Sequence, residues 1–257
     1  SNNTALGFGA LDANTTGGNN TAVGKNALTE NTTGSQNVAL GSRAVENNTT
    51  AGNNVGIGYS AVRETTTGAN NVGVGTDALK LNTTASNNTA VGYVALAVNT
   101  TGTNLVAVGA NALDTNTTGN GNVAIGVSAL QANTTASHNI AIGQGAMFFN
   151  TSGTRNTAVG ANGTLTSNTS GNDNVAVGYV ALAANTTGSN NTAVGKAALD
   201  ANTTGSTNTC IGVTALGANT TGADNVAVGG SSLGSNTTAD DNTAVGTSAL
   251  FQNLTGA

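Results

Sequence analysis

Apolar and polar positions along this chain recur every 17 residues, in a phrase that reads Asn, Thr or Val, Ala, Val, Gly, two variable residues, Ala-Leu, two variable residues, Asn-Thr-Thr-Gly and two more variable residues. The glycine closing the first half falls at Gly7, Gly24, Gly41, Gly58, Gly75, Gly92, Gly109, Gly126, Gly143 and Gly160. It resumes at Gly178, Gly195, Gly212, Gly229 and Gly246. One residue is inserted between Gly160 and Leu165, and every other interval is 17. So short a unit cannot bury its apolar side chains alone, so each is one coil of a solenoid stacked between its neighbours. Thr and Val around a small residue, with a breaking glycine in each unit, favour strand over helix. Two packed helices would also need roughly 30 residues per repeat. The sequence therefore predicts an all-β chain, a parallel β-solenoid of fifteen coils. Three strands per coil make it three-sided, with a flattened two-sided roll as the alternative. Residues 1–257 read as one repeat domain with a one-residue insertion at 161–165. The chain starts and stops inside the repeat, at Ser1 and Ala257, which predicts a segment of a longer array or ends that stack on other molecules.

Alternation along a strand gives each column a face. The column Leu6, Val23, Leu40, Ile57, Val74, Val91, Val108 and Ile125 is apolar without exception and is assigned inward. The column two residues earlier mixes Thr (Thr4, Thr21, Thr89, Thr157) with Val or Ile (Val38, Val55, Val72, Ile140) and shares that parity. Leu11, Leu28, Leu79 and Leu96, with Val45, Val62 and Met147 as substitutes, complete the expected core. Between the first two columns stands one that holds only Ala, Gly or Cys, and it is assigned outward. Its small size has two readings. One is a tight corner or flat strand. The other is a contact between protomers, for which Ala22, Ala39, Ala90, Ala107, Ala124, Ala141 and Ala158 are the candidates.

The two Asn columns, Asn14, Asn31, Asn48 and Asn82 onward and Asn3, Asn20, Asn37 and Asn54 onward, suit amide ladders at coil corners. The Thr pair of each unit offers an outward row. If the first Thr faces out, the row is Thr15, Thr32, Thr49, Thr66, Thr83, Thr100, Thr117, Thr134, Thr151, Thr169, Thr186, Thr203, Thr220 and Thr237, with hydroxyls about 4.8 Å apart. Such a row resembles the Thr arrays of β-solenoid ice-binding proteins. The other reading is a ladder of strand-forming residues with a purely structural role.

The phrase Asn-Thr-Ala-Val-Gly-x-x-Ala-Leu-x-x-Asn-Thr-Thr-Gly is similar to repeats of bacteriophage tail-fibre and bacterial surface proteins. Its first half resembles the head repeats of trimeric autotransporter adhesins. The resemblance covers the entire chain. It implies a parallel coil, assembly as a trimer and a place outside the cell or on a virion. The chaperone domain and coiled-coil stalk of such proteins have no counterpart in these residues.

Composition narrows the function. Only 7% of residues are charged, the net charge is −5, and six Lys plus Arg offer no basic surface for nucleic acid. No apolar run approaches a membrane span and no charged-then-apolar leader opens the sequence. Cys210 stands alone, which excludes an internal disulfide. Asn-Thr-Thr matches the glycosylation sequon in most coils, and sugars there would spoil the stack, so a bacterial or phage source is expected. Gly230-Ser231-Ser232-Leu233-Gly234 matches a nucleophile motif only in letters, without strand-turn-helix context and with the sole histidine, His138, several coils away. The Gly-Gly-x-Gly-x-Asp pattern of calcium-binding β-rolls is absent. The expectation is a non-enzymatic structural or adhesive rod, as in a phage tail fibre or bacterial surface fibre, without cofactor or metal. Its partners are further copies of itself, through a homo-oligomer or end-to-end stacking, or a surface ligand. The alternative is an ice-binding protein whose partner is ice.

Overall fold

A computed structural model describes residues 2–254; Ser1 and Ala257, where the sequence reading located the chain ends, lie outside them. The chain divides into two compact units, 1–128 and 129–257, and both are β-solenoids. The first unit carries β1 (Thr4–Leu6), β2 (Thr21–Val23), β3 (Val38–Leu40), β4 (Val55–Ile57), β5 (Val72–Val74), β6 (Thr89–Val91), β7 (Val106–Val108) and β8 (Val123–Ile125). The second carries β9 (Ile140–Ile142), β10 (Thr157–Val159), β11 (Val175–Val177), β12 (Thr192–Val194), β13 (Thr209–Ile211), β14 (Val226–Val228) and β15 (Thr243–Val245). Within each unit the strands pair in parallel with their sequence neighbours. The register steps by 17, as in Thr21↔Val38, and by 18 across the insertion, as in Thr157↔Val175.

Each coil contains one three-residue strand, not the three strands of four or five residues expected from its length. The rest is turn, yet it is bonded to the adjacent coils almost all the way round. Gly24 N donates to Leu6 O (2.8 Å) and Asn26 N to Phe8 O (2.8 Å) on one side. Leu28 N donates to Ala44 O (3.1 Å) and Thr32 N to Thr49 O (2.9 Å) on the other. Left-handed residues make the turns. In the coil of β2 these are Asn26 (φ 57°), Leu28 (φ 54°) and Gln36 (φ 62°). Gly24, at φ 137°, ends the strand where an added Cβ would stand 2.5 Å from the carbonyl oxygen of Gly41, so no other residue fits.

The strand faces are the reverse of the expected ones. Ala22, Ala39, Ala90, Ala107, Ala124, Ala141 and Ala158 are 0% exposed and point into the coil. The flanking columns face out: Leu40 is 47% exposed and Ile211 44%. The physical reason is the thinness of the interior. An Ala such as Ala22 and the Ala-Leu pair Ala27-Leu28 come from opposite walls, and both walls are buried. The strand contributes only Ala, Gly or, once, Cys210 to this space. Two coils show the limit. Val45 and Val62 replace the usual Leu, and the strand residues that meet them are Gly56 and Gly73. An added Cβ on either glycine would lie 2.6 Å from a Val Cγ2. The Leu column behaves as expected, with Leu28, Leu79, Leu96, Val45, Val62 and Met147 all at 0%, while Leu11 is half-buried.

This packing predicts a coupled pair. Gly56→Ala alone should destabilise the protein by about 1–3 kcal/mol, the usual penalty of overpacking. Combined with Val45→Leu, which removes the colliding branch, most of that loss should be recovered, and a denaturant double-mutant cycle measures the coupling.

Candidate functional site

The two Asn columns are buried at 0% through most coils and form amide ladders within both units. In the first column Asn31 Nδ2 donates to Asn14 Oδ1 (3.0 Å) and to Gly34 O three residues on (3.0 Å). The same contacts recur in the second unit from Asn168 to Asn219, at 2.8–3.0 Å. In the second column Asn37 N donates to Asn20 Oδ1 (2.9 Å), and Asn37 Nδ2 donates to Ala51 O of the adjoining turn, fourteen residues on (2.9 Å). One column shapes the Asn-Thr-Thr-Gly turn, and the other closes the coil by tying the strand entry to that turn. The columns tolerate two exceptions. Leu105 takes an Asn position, fully buried, and its N–H still donates to Asn88 Oδ1 (3.0 Å). Thr65 takes another and donates to Asn82 O (2.9 Å), which leaves the buried Asn48 Oδ1 with no donor.

The Thr pair lies in a bend, not in a strand, so strand alternation does not separate its members. The second residue of each pair is exposed in every coil from Thr16 to Thr238, with Ser152 and Ser170 standing in twice. In the first row Thr15, Thr134, Thr151, Thr169 and Thr237 are exposed. Thr32, Thr49, Thr66, Thr83, Thr100, Thr117, Thr186, Thr203 and Thr220 are half-buried. Their hydroxyls stitch coils together: Thr15 Oγ1 donates to Thr32 O (2.9 Å), Thr100 Oγ1 to Thr117 O (3.0 Å) and Thr203 Oγ1 to Thr220 O (3.0 Å). A hydroxyl bonded this way has only its lone pairs left for water.

The sheet face is the other surface of note. All its outward side chains in the fifteen strands are Thr, Val, Ile or Leu, with no charge among them. Charge sits on the turns, where Arg155 Nε and Nη2 donate to the Asp173 carboxylate one coil away (2.6 and 2.8 Å). That hydrogen-bonded pairing raises the Arg155 pKa and lowers that of Asp173. Lys80 pairs with Asp77 at 3.3 Å. Because the small-residue column faces inward, it presents no side chain to a protomer, and the contact proposed for its seven alanines has no surface to act through.

The residues singled out for catalytic chemistry sit in different settings. Ser232 is buried and donates to Gly229 O (2.9 Å), while His138 is exposed on a turn. Burial pushes the Cys210 thiol up to about 12, so at neutral pH it is a packed thiol in the small-residue column and not a nucleophilic thiolate. Burial also raises the Asp200 carboxyl, which borders a shallow cleft of about 310 Å³ with Thr214, Gly217, Ser231 and Phe251. Among the described residues no group of three or more His, Cys, Asp or Glu could hold a metal ion, and no helix is long and apolar enough to cross a membrane. Neither the known protein families nor the curated proteins give a match to this chain.

The ladder defect generates a prediction. Thr65→Asn restores a donor to Asn48 Oδ1 and should stabilise the protein by about 1–2 kcal/mol, since an orphaned buried acceptor costs about that much. Asn99→Ala should act in the opposite sense. Asn99 Nδ2 bonds Asn82 Oδ1 and Gly102 O, and its Oδ1 accepts from Asn116 Nδ2, so about 3 kcal/mol or more should be lost in chemical denaturation.

Proposed function

We propose that this chain is a non-enzymatic structural segment of a bacterial surface fibre or phage tail fibre, outside the cell or on the virion, and that its sheet face packs against further copies of the same chain. One observation carries the reading. Every outward strand side chain is Thr, Val, Ile or Leu, and each is exposed or half-buried, whereas monomeric proteins rarely leave so regular an apolar surface uncovered. Eight strands about 4.8 Å apart, each presenting a band about 10 Å wide, give roughly 400 Å² in the first unit alone, within the size range of functional patches. Thr and Val have nearly the same shape, so mixing them changes the polarity of the face and not its relief. Self-association replaces the small-residue column by the two columns beside it, and the resemblance to trimeric adhesin heads makes a trimer the expected assembly. An adhesive role falls to the variable residue after each glycine, which is aromatic and exposed at Tyr59, Tyr93 and Tyr179.

Ice binding is the second reading. The uncharged, exposed row led by Thr16, Thr33, Thr50, Thr67, Thr84, Thr101 and Thr118 favours it.

Light scattering on the wild type and on a Val106→Glu/Val108→Glu variant tests the first reading. The wild type should scatter as an oligomer and the variant as a monomer with unchanged β circular dichroism. A wild type that stays monomeric at high concentration overturns it. Thermal hysteresis in the wild type, lost in Thr101→Lys/Thr118→Lys and kept in the Val variant, would instead establish ice binding.

A further inference from the structure

The inserted residue lengthens one turn in the arc between the glycine and the buried Leu, an arc that carries no ladder Asn. In a regular coil the glycine, a variable residue and a left-handed residue lead straight into the buried Ala-Leu pair, as in Gly143-Gln144-Gly145-Ala146-Met147. In the insertion the sequence is Gly160-Ala161-Asn162-Gly163-Thr164-Leu165. Thr164 takes the buried Ala position and Gly163 is the extra residue. Asn162 is exposed at φ 51°, and Gly163 follows at φ 100°.

We propose that Asn162 is a site of spontaneous self-modification, in which the Gly163 backbone nitrogen attacks the Asn162 side-chain amide. The reaction needs a successor without a Cβ to obstruct the approach, an amide side chain free to turn, and a backbone N–H free to lose its proton. The chain has two Asn-Gly dipeptides, and they differ in these respects. Asn120 Oδ1 accepts from Thr103 N (2.8 Å) and Thr103 Oγ1 (3.1 Å), and its Nδ2 donates to Thr118 O (3.1 Å). Gly121 N donates to Thr103 O (3.0 Å). Among the described residues neither the Asn162 side chain nor the Gly163 N–H has such a bond; Asn162 is tied only through its own backbone N–H, to Gln144 O (3.0 Å). The remaining Asn residues precede larger side chains, and the ladder members are also buried and bonded.

The step balances without any redox partner. Solvent base removes the Gly163 amide proton, and the nitrogen forms a bond to Asn162 Cγ, closing a five-membered imide. The Cγ–Nδ2 bond breaks and ammonia leaves with a proton. Water then opens one of the two imide C–N bonds, giving Asp in one case and isoaspartate, with the main chain routed through the side-chain carbon, in the other. Either product adds a negative charge to the insertion turn, and isoaspartate lengthens a turn that is already one residue long.

Peptide mapping by mass spectrometry during incubation of the folded full chain at mildly alkaline pH tests this. The peptide with Asn162 should gain the mass of an amide-to-acid conversion at least about tenfold faster than the peptide with Asn120, a ratio that two hydrogen bonds of ordinary strength supply. In denaturant the two should convert at similar rates, because the discrimination resides in the fold. Asn162→Ser should abolish the fast conversion and leave the slow one. Equal rates in the folded chain, faster conversion at Asn120, or no conversion at Asn162 would each overturn the proposal.

Discussion

The space inside one coil takes a side chain no larger than Ala or Cys from the strand and a single Leu-sized side chain from the opposite wall. Nearly everything else in the protein follows from that thickness. A core so slim supplies little apolar burial per residue, so cohesion falls to hydrogen bonds that run from coil to coil, and these are abundant because almost the whole perimeter bonds to its neighbours. Buried amides would be costly in an ordinary core. In this one they replace apolar bulk, since most of the buried Asn side chains find partners in the adjacent coil, and the first column also in its own turn. Their alignment along the stack lets successive amides polarise one another.

The same thickness turns the strand inside out. Bulky β-branched side chains cannot enter from the strand, so there they stand on the outer face, and the sheet presents an uncharged row of Thr, Val, Ile and Leu to its surroundings. Structure and surface chemistry are therefore one fact: a chain that folds this way must expose Val and Ile, and it must find something for them to touch or tolerate their exposure. The left-handed turns belong to the same compromise. Leu28 and its equivalents adopt a backbone conformation unfavourable for non-glycine residues, and the close fit of the side chain and the coil-to-coil bonds hold them there.

The architecture was legible in the sequence because it rests on period. The glycine column, the Leu column, the amide stacks and the insertion all follow from spacing. Which face of the strand points inward was not legible from alternation, which separates two faces without orienting them. Size held the missing information. A column confined to Ala, Gly and Cys was read as an external contact, whereas the covariation of Val45 with Gly56 and of Val62 with Gly73 marks it as internal. The Thr pair misled for another reason. Thr favours strand, but here its hydroxyl supports a bend by bonding to the next coil, and a residue type does not reveal which of two uses it has. Among the described residues no group of three or more acids, His or Cys could hold a metal ion, and function is argued from surfaces.

The insertion shows where such a chain can grow. Asn168 Nδ2 reaches Asn150 Oδ1 (2.8 Å) and Asn174 N reaches Asn156 Oδ1 (2.9 Å) across an eighteen-residue step, so both ladders keep their phase past the extra residue. Added length is absorbed in the arc between Gly160 and Leu165, which no amide column crosses. A repeat protein held together this way has separate clocks for its two tasks. The arcs bearing the Asn columns keep time for the whole stack and admit no change in length, while the arc after the glycine is free to lengthen and acquire new chemistry without the neighbouring coils losing step.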